Sequence, residues 1–379
     1  MTTMTKDAVT IAKDLADEFR ERAAEYDRTG EFPKQNYDRM RESGYLRAPV
    51  PEQLGGLGAT LPQMAQAQQA LARGCASTAL AVNMHLFQVG AARDGFLKTG
   101  ANEAPLRRVA DEGIVLGSAG AEAIVAGEWS TPTRAEKKDG NYVINGRKYF
   151  VSQAPGVNVL RVNAVDTETG ELIVVAVPCN LEGVRIDPTW DTTGMRATAS
   201  HEVVFENVTV PESAVGARLA GKEPLRTPQY AAIMRWFYPL MSSVYLGVAE
   251  EARHFALQSL QKARNSNFRD PVLTDVLLGE MEVAFTTASA VRNQLAPRLA
   301  EAEVEEVVAL SITLKEIVVD RAIETVEKAV AIAGGTAYFR KSPLERLARD
   351  VRAGRFHPPS APVSHQIIGS RVREGLADA

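Results

Sequence analysis

His357 is the residue whose type and setting best suit moving a proton. It closes the run Arg349-Asp350-Val351-Arg352-Ala353-Gly354-Arg355-Phe356-His357-Pro358-Pro359. An imidazole changes charge near neutral pH and both donates and accepts hydrogen bonds. A histidine held in a proline-rich turn is the plainer reading. Phe150 and Ser152 lie in Tyr142-Val143-Ile144-Asn145-Gly146-Arg147-Lys148-Tyr149-Phe150-Val151-Ser152 and offer a ring face beside a small hydroxyl. An ordinary strand with alternating faces presents the same pair. Arg264 carries a planar fork that suits a phosphate, and a solvated surface arginine fits the position equally. Gly334-Gly335 stands where a long helix ends, the place of a C-cap that needs positive φ. Cys75 and Cys179 are far apart, lack metal-ligand spacing, and read as reduced core thiols.

These residues need elements to hold them. Ala8, Ile11, Ala12, Leu15 and Phe19 recur at three-and-four spacing and predict a first helix. Pro33 begins a second helix and Gly44 follows it. The stretch Pro49 to Gly58 holds two prolines and three glycines, and predicts a connector. Leu61 to Ala72 and Ala76 to Gly90 read as buried helices. The pattern then changes. Asn145-Gly146 predicts a hairpin turn between two strands. Leu172 to Val177 is an apolar run of strand length, and Val203 to Phe205 and Val208 to Val210 flank a turn at Glu206-Asn207. Helical periodicity returns over 237–263, 271–297, 301–333 and 342–353. The fold class expected is α+β: an all-α domain over 1–115, a β-barrel or sandwich over 116–220, and a four-helix bundle over 221–379.

The 379 residues are 45% hydrophobic and 24% charged, with a formal net charge of -4. That balance suits a globular protein and speaks against nucleic acid or an anionic membrane as partner. No signal-like N-terminus and no apolar run of the ~20 residues a span needs are present, so a cytoplasmic protein is expected.

The order of domains and several motifs resemble the acyl-CoA dehydrogenase superfamily, flavoenzymes that oxidise acyl thioesters. Pro51-Glu52-Gln53-Leu54-Gly55-Gly56-Leu57-Gly58 is similar to the family's P-E-x-x-G-G-x-G, and Leu71-Ala72-Arg73, Ser77 and His85 fit the helices that follow. Asn145 to Ala154 is similar to N-G-x-K-x-W-I-T-N-A. The resemblance places Phe150 against the flavin ring and the Ser152 hydroxyl near flavin N5. Gly117 to Ala123 matches the loop that borders the flavin pyrimidine, with Ala121 and Glu122 as contacts, although the family's Ser-Asp pair is absent. Gly194-Met195-Arg196-Ala197-Thr198-Ala199-Ser200 and Val208 to Pro211 match the end of the middle domain, where His201 reads as structural. Arg264 takes the place of an arginine that reaches the pyrophosphate of a neighbouring subunit's flavin. Gly334-Gly335, Pro343-Leu344-Glu345-Arg346 and Arg349-Asp350-Val351-Arg352 match the C-terminal signature. The glycine pair implies a cofactor shared between subunits, hence a homodimer or homotetramer.

The resemblance fails at the catalytic base. Counting from Arg349-Asp350, the family's glutamate falls at Pro358. A minority of the family carries it on the first bundle helix, a position near Phe237 here. Glu250 and Glu251 lie nearby and look like helix-surface charges. The tail from His357 through Gly369 is instead similar to flavin-dependent monooxygenases of the same fold, whose histidine stands where oxygen meets the flavin. The resemblance implies, first, an FAD-dependent oxidoreductase that oxidises a CoA thioester with hydride transfer to flavin N5 and passes electrons to an electron-transfer flavoprotein. Its alternatives are a two-component monooxygenase, using FAD or FMN reduced by a flavin reductase, and a non-catalytic structural partner. His357 is then the catalytic candidate, and Ser360 joins the cofactor contacts.

Overall fold

A computed structural model describes residues 7–120, 131–219, 227–262 and 270–377. Ala121, Glu122 and Arg264 therefore lie outside the described residues.

The N-terminal helices are α1 (Ala8–Thr29), α2 (Lys34–Glu42), α3 (Leu61–Gly74), α4 (Ala76–Thr99) and α5 (Glu103–Arg107). Asp7 caps α1 by accepting the Thr10 amide, and the helix buries Ala8, Ile11, Ala12, Leu15 and Phe19 on one face. The connector is irregular apart from a single tight turn at Glu52–Leu54.

Among the described residues eight strands follow: β1 (Leu116–Ala119), β2 (Arg134–Lys138), β3 (Asn141–Val151), β4 (Val159–Asp166), β5 (Leu172–Pro178), β6 (Val184–Asp187), β7 (His201–Pro211) and β8 (Val215–Leu219). They form one mixed sheet in the order β6-β7-β3-β2-β4-β5-β8, with β1 parallel to β4. Its own core includes Ile144, Val162, Val175, Phe205 and Val208.

Both expected turns in this region are absent. β3 runs straight through Asn145-Gly146, and β7 runs straight through Glu206-Asn207. The two sites face each other as an irregularity in the β3–β7 register. Asn145 and Asn207 are joined there twice: the Asn207 amide donates to Asn145 Oδ1 at 2.8 Å, and Asn145 Nδ2 donates to Asn207 Oδ1 at 3.2 Å. Gly146 is needed for close approach, since a Cβ would fall 2.8 Å from Thr133 Cα. A turn signal is local, whereas a bulge is satisfied by a partner strand distant in sequence.

The C-terminal part contains α6 (Pro228–Lys262), α7 (Pro271–Glu301), α8 (Val304–Ala333), the short α9 (Pro343–Asp350) and α10 (Ala361–Ala377). Acids Glu305 and Glu306 occupy the first turn of α8, at the positive end of its dipole. Helix α10 was not foreseen from the proline-rich tail. α6 packs against α8, α3 and α4, so one apolar core joins the N-terminal and C-terminal helices. Among the described residues, no helix is long and apolar enough to cross a membrane.

Candidate active site

A cleft of about 2050 Å³ opens where the sheet, the C-terminal helices and the end of α1 meet. The C-terminal signature builds this junction. Arg349 of α9 donates to both Asp27 carboxylate oxygens, at 3.0 and 2.6 Å, and to the Thr193 carbonyl at 2.7 Å. Glu345 takes its remaining donors at 2.7 and 2.8 Å. Asp350 is buried and accepts the Met195 amide at 2.5 Å. Burial pushes its carboxyl up to about 6. Gly194 lies so close to α9 that a Cβ would sit 2.5 Å from the Arg349 carbonyl oxygen. The Arg-Asp pair therefore ties helix α1, the loop before β7 and α9 together.

On the sheet side, a second irregularity between Lys148 and Val151 turns Phe150 outward. Phe150 has φ 54 and is 66% exposed on the cleft. Its ring meets Trp190 edge to face at 6.1 Å. The Trp190 indole N–H donates to the Met195 carbonyl at 3.2 Å, and its amide donates to His201 Nδ1 at 3.2 Å. His201 is thus the structural histidine expected. Ser152, two residues beyond Phe150, also lines the cleft. Its Oγ lies 2.8 Å from Ser200 Oγ, which lies 2.8 Å from Thr198 Oγ1.

On the helical side, His357 lines the same cleft. Its Nε2 is 2.6 Å from the hydroxyl of Tyr245 on α6. Phe237 stacks edge-on against its ring at 6.4 Å. Burial holds the imidazole down to about 4, with the Lys315 charge adding to the effect, so it is neutral at pH 7. The residues after it are anchored. Tyr238 donates to the Pro358 carbonyl at 2.7 Å, and Lys315 Nζ donates to the Pro359 carbonyl at 2.9 Å. Ser360 lines the cleft and its carbonyl accepts the Ser364 amide at the start of α10.

The tautomer of His357 follows from burial. Tyr245 is fully buried, and its hydroxyl has no other acceptor among the described residues. Burial also raises its pKa, keeping it a proton donor. The Tyr245 O–H therefore donates to Nε2, and the ring proton sits on Nδ1.

Two sequence expectations shift. Glu251 is buried, not a surface charge, and accepts from Arg20 at 3.0 Å and Arg73 at 3.1 Å. Glu250 pairs with Arg73 and Gln69. Neither lines the cleft. Gly334 caps α8 with φ 64 and its amide on the Val330 carbonyl. A Cβ on Gly334 or Gly335 meets nothing within 4 Å, and neither residue lines the cleft. His85 is buried between the Leu46 carbonyl at 2.8 Å and the Leu116 amide at 3.0 Å, which fixes it as a neutral structural group. Sequence reasoning missed Tyr245, Tyr238 and Trp190 as parts of the site. Tyr238 and Tyr245 stand seven residues apart, on one face of α6, which is a signal only once α6 is known to face the tail.

The fold is that of a known enzyme family. Three family models match: the acyl-CoA dehydrogenase N-terminal domain over 6–100, the middle domain over 120–208 and the C-terminal domain over 240–359. The chain belongs to the acyl-CoA dehydrogenase family. YdbM of Bacillus subtilis (strain 168), provisionally named an acyl-CoA dehydrogenase, is 31% identical over 357 residues, covering 91% of each chain. The amino sugar nitrososynthase DnmZ of Streptomyces peucetius is 31% identical over 351 residues, covering 88% of this chain and 84% of its own. A solved structure of KijD3 in complex with FMN and a dTDP-linked amino keto sugar matches with a TM-score of 0.85 at 26% identity, covering 99% of this chain and 95% of that one.

Proposed function

We propose that this chain is a flavin-dependent monooxygenase on the acyl-CoA dehydrogenase fold. It takes reduced flavin, FMN or FAD, from a separate reductase and acts with oxygen on a small organic substrate. One observation carries the reading: the cleft presents a neutral imidazole, and its described carboxylates are all engaged. Asp27 and Glu345 are held by Arg349, Asp191 by Arg196, and Glu25 by Arg28. Glu374 has an interaction of its own. Oxidising a thioester needs a free carboxylate beside a weakly acidic α-proton, and Pro358 supplies none.

The residues present fit a flavin. Phe150 offers an exposed ring face and Ser152 a hydroxyl beside it. Arg340 and Arg352 line the cleft with no hydrogen bond or ion pair among the described residues, and their planar forks suit a phosphate. The relatives that make nitroso sugars and bind FMN support the same reading. When bound, the flavin supplies the two electrons that activate oxygen. The chain's own part is to hold the ring on Phe150, to present the Nδ1–H of His357 as a donor, and to keep water out with Phe237, Met234 and Ile312. The same apolar wall suits an uncharged or weakly charged substrate.

Acyl-thioester oxidation is the second reading, supported by family membership and the likeness to YdbM. A homo-oligomer is also proposed. Helix α7 exposes Val272, Leu273, Val276 and Val283, and Tyr338 and Phe339 stand exposed just after Gly334-Gly335. Such faces suit a second copy. The deciding experiment adds a panel of acyl-CoAs to the flavin-loaded protein without oxygen. No bleaching is expected. With reduced flavin, oxygen and an amine or aromatic substrate, oxygenated product is expected. Bleaching by an acyl-CoA would overturn the monooxygenase reading.

A further inference from the structure

We infer that Ser118, Arg161 and Asn163 form an oxyanion subsite on the sheet wall of the cleft, which takes a carboxylate, sulfonate or phosphate-ester group at the far end of the substrate. The inference rests on the proposed oxygenase reading and deepens it by giving the substrate an anionic handle. The reacting end stays against the apolar wall by His357, and the single charge lies at the other end.

Strand pairing puts the three side chains on one face. Arg161 and Asn163 are two residues apart on β4, and Ser118 of β1 is the register partner of Arg161. The alternate residues Leu160, Val162 and Ala164 point into the sheet's own core, so Arg161 and Asn163 point away from it. On that outer side Ser118, Gly120 and Asn163 line the cleft. Their ends converge: a Cβ on Gly120 would lie 3.4 Å from Asn163 Nδ2 and 3.9 Å from Ser118 Oγ. The glycine leaves the space between the two polar ends open.

All three side chains are half-buried, and none makes a hydrogen bond or ion pair among the described residues. Asp166 at the end of β4 and Glu171 before β5 are held by Arg218, at 3.1 and 3.3 Å. Burial pushes the pKa of Arg161 down with no partner opposing the shift, and the guanidinium still stays charged at neutral pH. A charge taken partly out of water without a counter-charge is costly, and an anion bound there relieves the cost. The fork of Arg161 matches an oxyanion in geometry, and the Asn163 amide and Ser118 hydroxyl add donors beside it.

The sheet also sets the length of the ligand. Strand β1 lies against both β4 and β3. Two strand spacings, about 10 Å, therefore separate β4 from the strand that carries Phe150. A substrate with an apolar reacting end and an anion about 10 Å away spans that distance. Arg340 and Arg352 belong to the C-terminal segment and not to the sheet, and they leave Arg161 to the substrate.

The test titrates 4-phenylbutyl phosphate and its neutral parent 4-phenylbutanol calorimetrically into the whole chain, with and without FMN. Wild type is expected to bind the phosphate at least about tenfold more tightly than the alcohol. Arg161→Met should bring the two probes within about twofold of each other, and Arg161→Lys should keep part of the preference, because the charge stays and the fork is lost. The double variant Ser118→Ala with Asn163→Ala reads the same site without touching the arginine and should lower the preference about threefold. FMN affinity should stay within about twofold of wild type in every variant, and far-UV circular dichroism checks that each one folds. Equal binding of the two probes by wild type overturns the inference, as does a preference kept by folded Arg161→Met or left unchanged in the double variant. A larger fall in FMN affinity in Arg161→Met also overturns it, by assigning the guanidinium to the flavin phosphate. A chain that binds no FMN and still shows the Arg161-dependent preference overturns the flavin reading and leaves the anion subsite standing.

Discussion

Tyr245 and His357 are 112 residues apart in sequence, and the tyrosine hydroxyl donates to the imidazole Nε2 across 2.6 Å. The bond does two things at once. It satisfies a fully buried phenol, and it leaves the imidazole proton on Nδ1, on a ring that lines the cleft. Position 358 is a proline whose carbonyl accepts from Tyr238 at 2.7 Å. An oriented neutral ring thus stands on this side of the cleft.

Tyr245→Phe should therefore impair the reaction without impairing flavin binding. The ring loses the donor that fixes its tautomer, and turnover coupled to substrate is expected to fall by about tenfold or more. His357→Ala should fall further, and the double variant should fall no further than His357→Ala. Hydrogen peroxide released per oxygen consumed is the measurement. Additive losses in the double variant would show that Tyr245 acts independently of His357.

Phe150→Ala separates binding from folding. The ring is 66% exposed and makes its one described aromatic contact with Trp190. Thermal stability of the flavin-free chain should change by less than about 1 kcal/mol, as surface substitutions usually do. Flavin affinity should fall about threefold to tenfold, the worth of an aromatic contact. Fluorescence titration and a melting curve read the two separately.

Arg349→Lys should destabilise the whole molecule. A lysine keeps the charge and loses the fork that serves Asp27, Glu345 and the Thr193 carbonyl together. The pair is only partly buried, so a cost of about 2 kcal/mol is expected, below that of breaking a fully buried pair. The denaturant midpoint should fall. A wild-type midpoint would mean that the three segments hold together without this clamp.

Stability should decline in acid with a defined sign. His85 and His357 both titrate at about 4 in the folded chain, lowered chiefly by burial. Their contribution is complete above the unfolded value near 6.5 and is lost as pH falls from about 6.5 toward 4. For the fully buried His85 the full shift amounts to about 3 kcal/mol at most. Asp350, raised to about 6, acts oppositely: it favours the folded state at low pH, and that contribution is lost as pH rises through about 6. Asp350→Asn should steepen the loss between pH 6.5 and 4, and His85→Gln should flatten it. Chemical denaturation at a series of pH values checks both slopes.

Much of this protein was legible in its residue order. Apolar spacing placed the helices, and the Val- and Ile-rich runs placed the strands. These are local properties: a periodicity of burial or a cap is written within a few residues of itself. Phe150, Ser152 and His357 were picked out through the resemblance of their motifs to the family's, and the structure brings all three to one cleft.

Tertiary structure decided the rest. Asn145-Gly146 and Glu206-Asn207 each look like a turn alone, and became facing bulges because each strand met the other. Glu251 looked solvated until Arg20 and Arg73 closed over it. The tautomer of His357 depends on a phenol from another helix. Sequence determines which groups the chain owns and how each segment folds; the direction of a hydrogen bond belongs to a pair, and pairs are made only by packing.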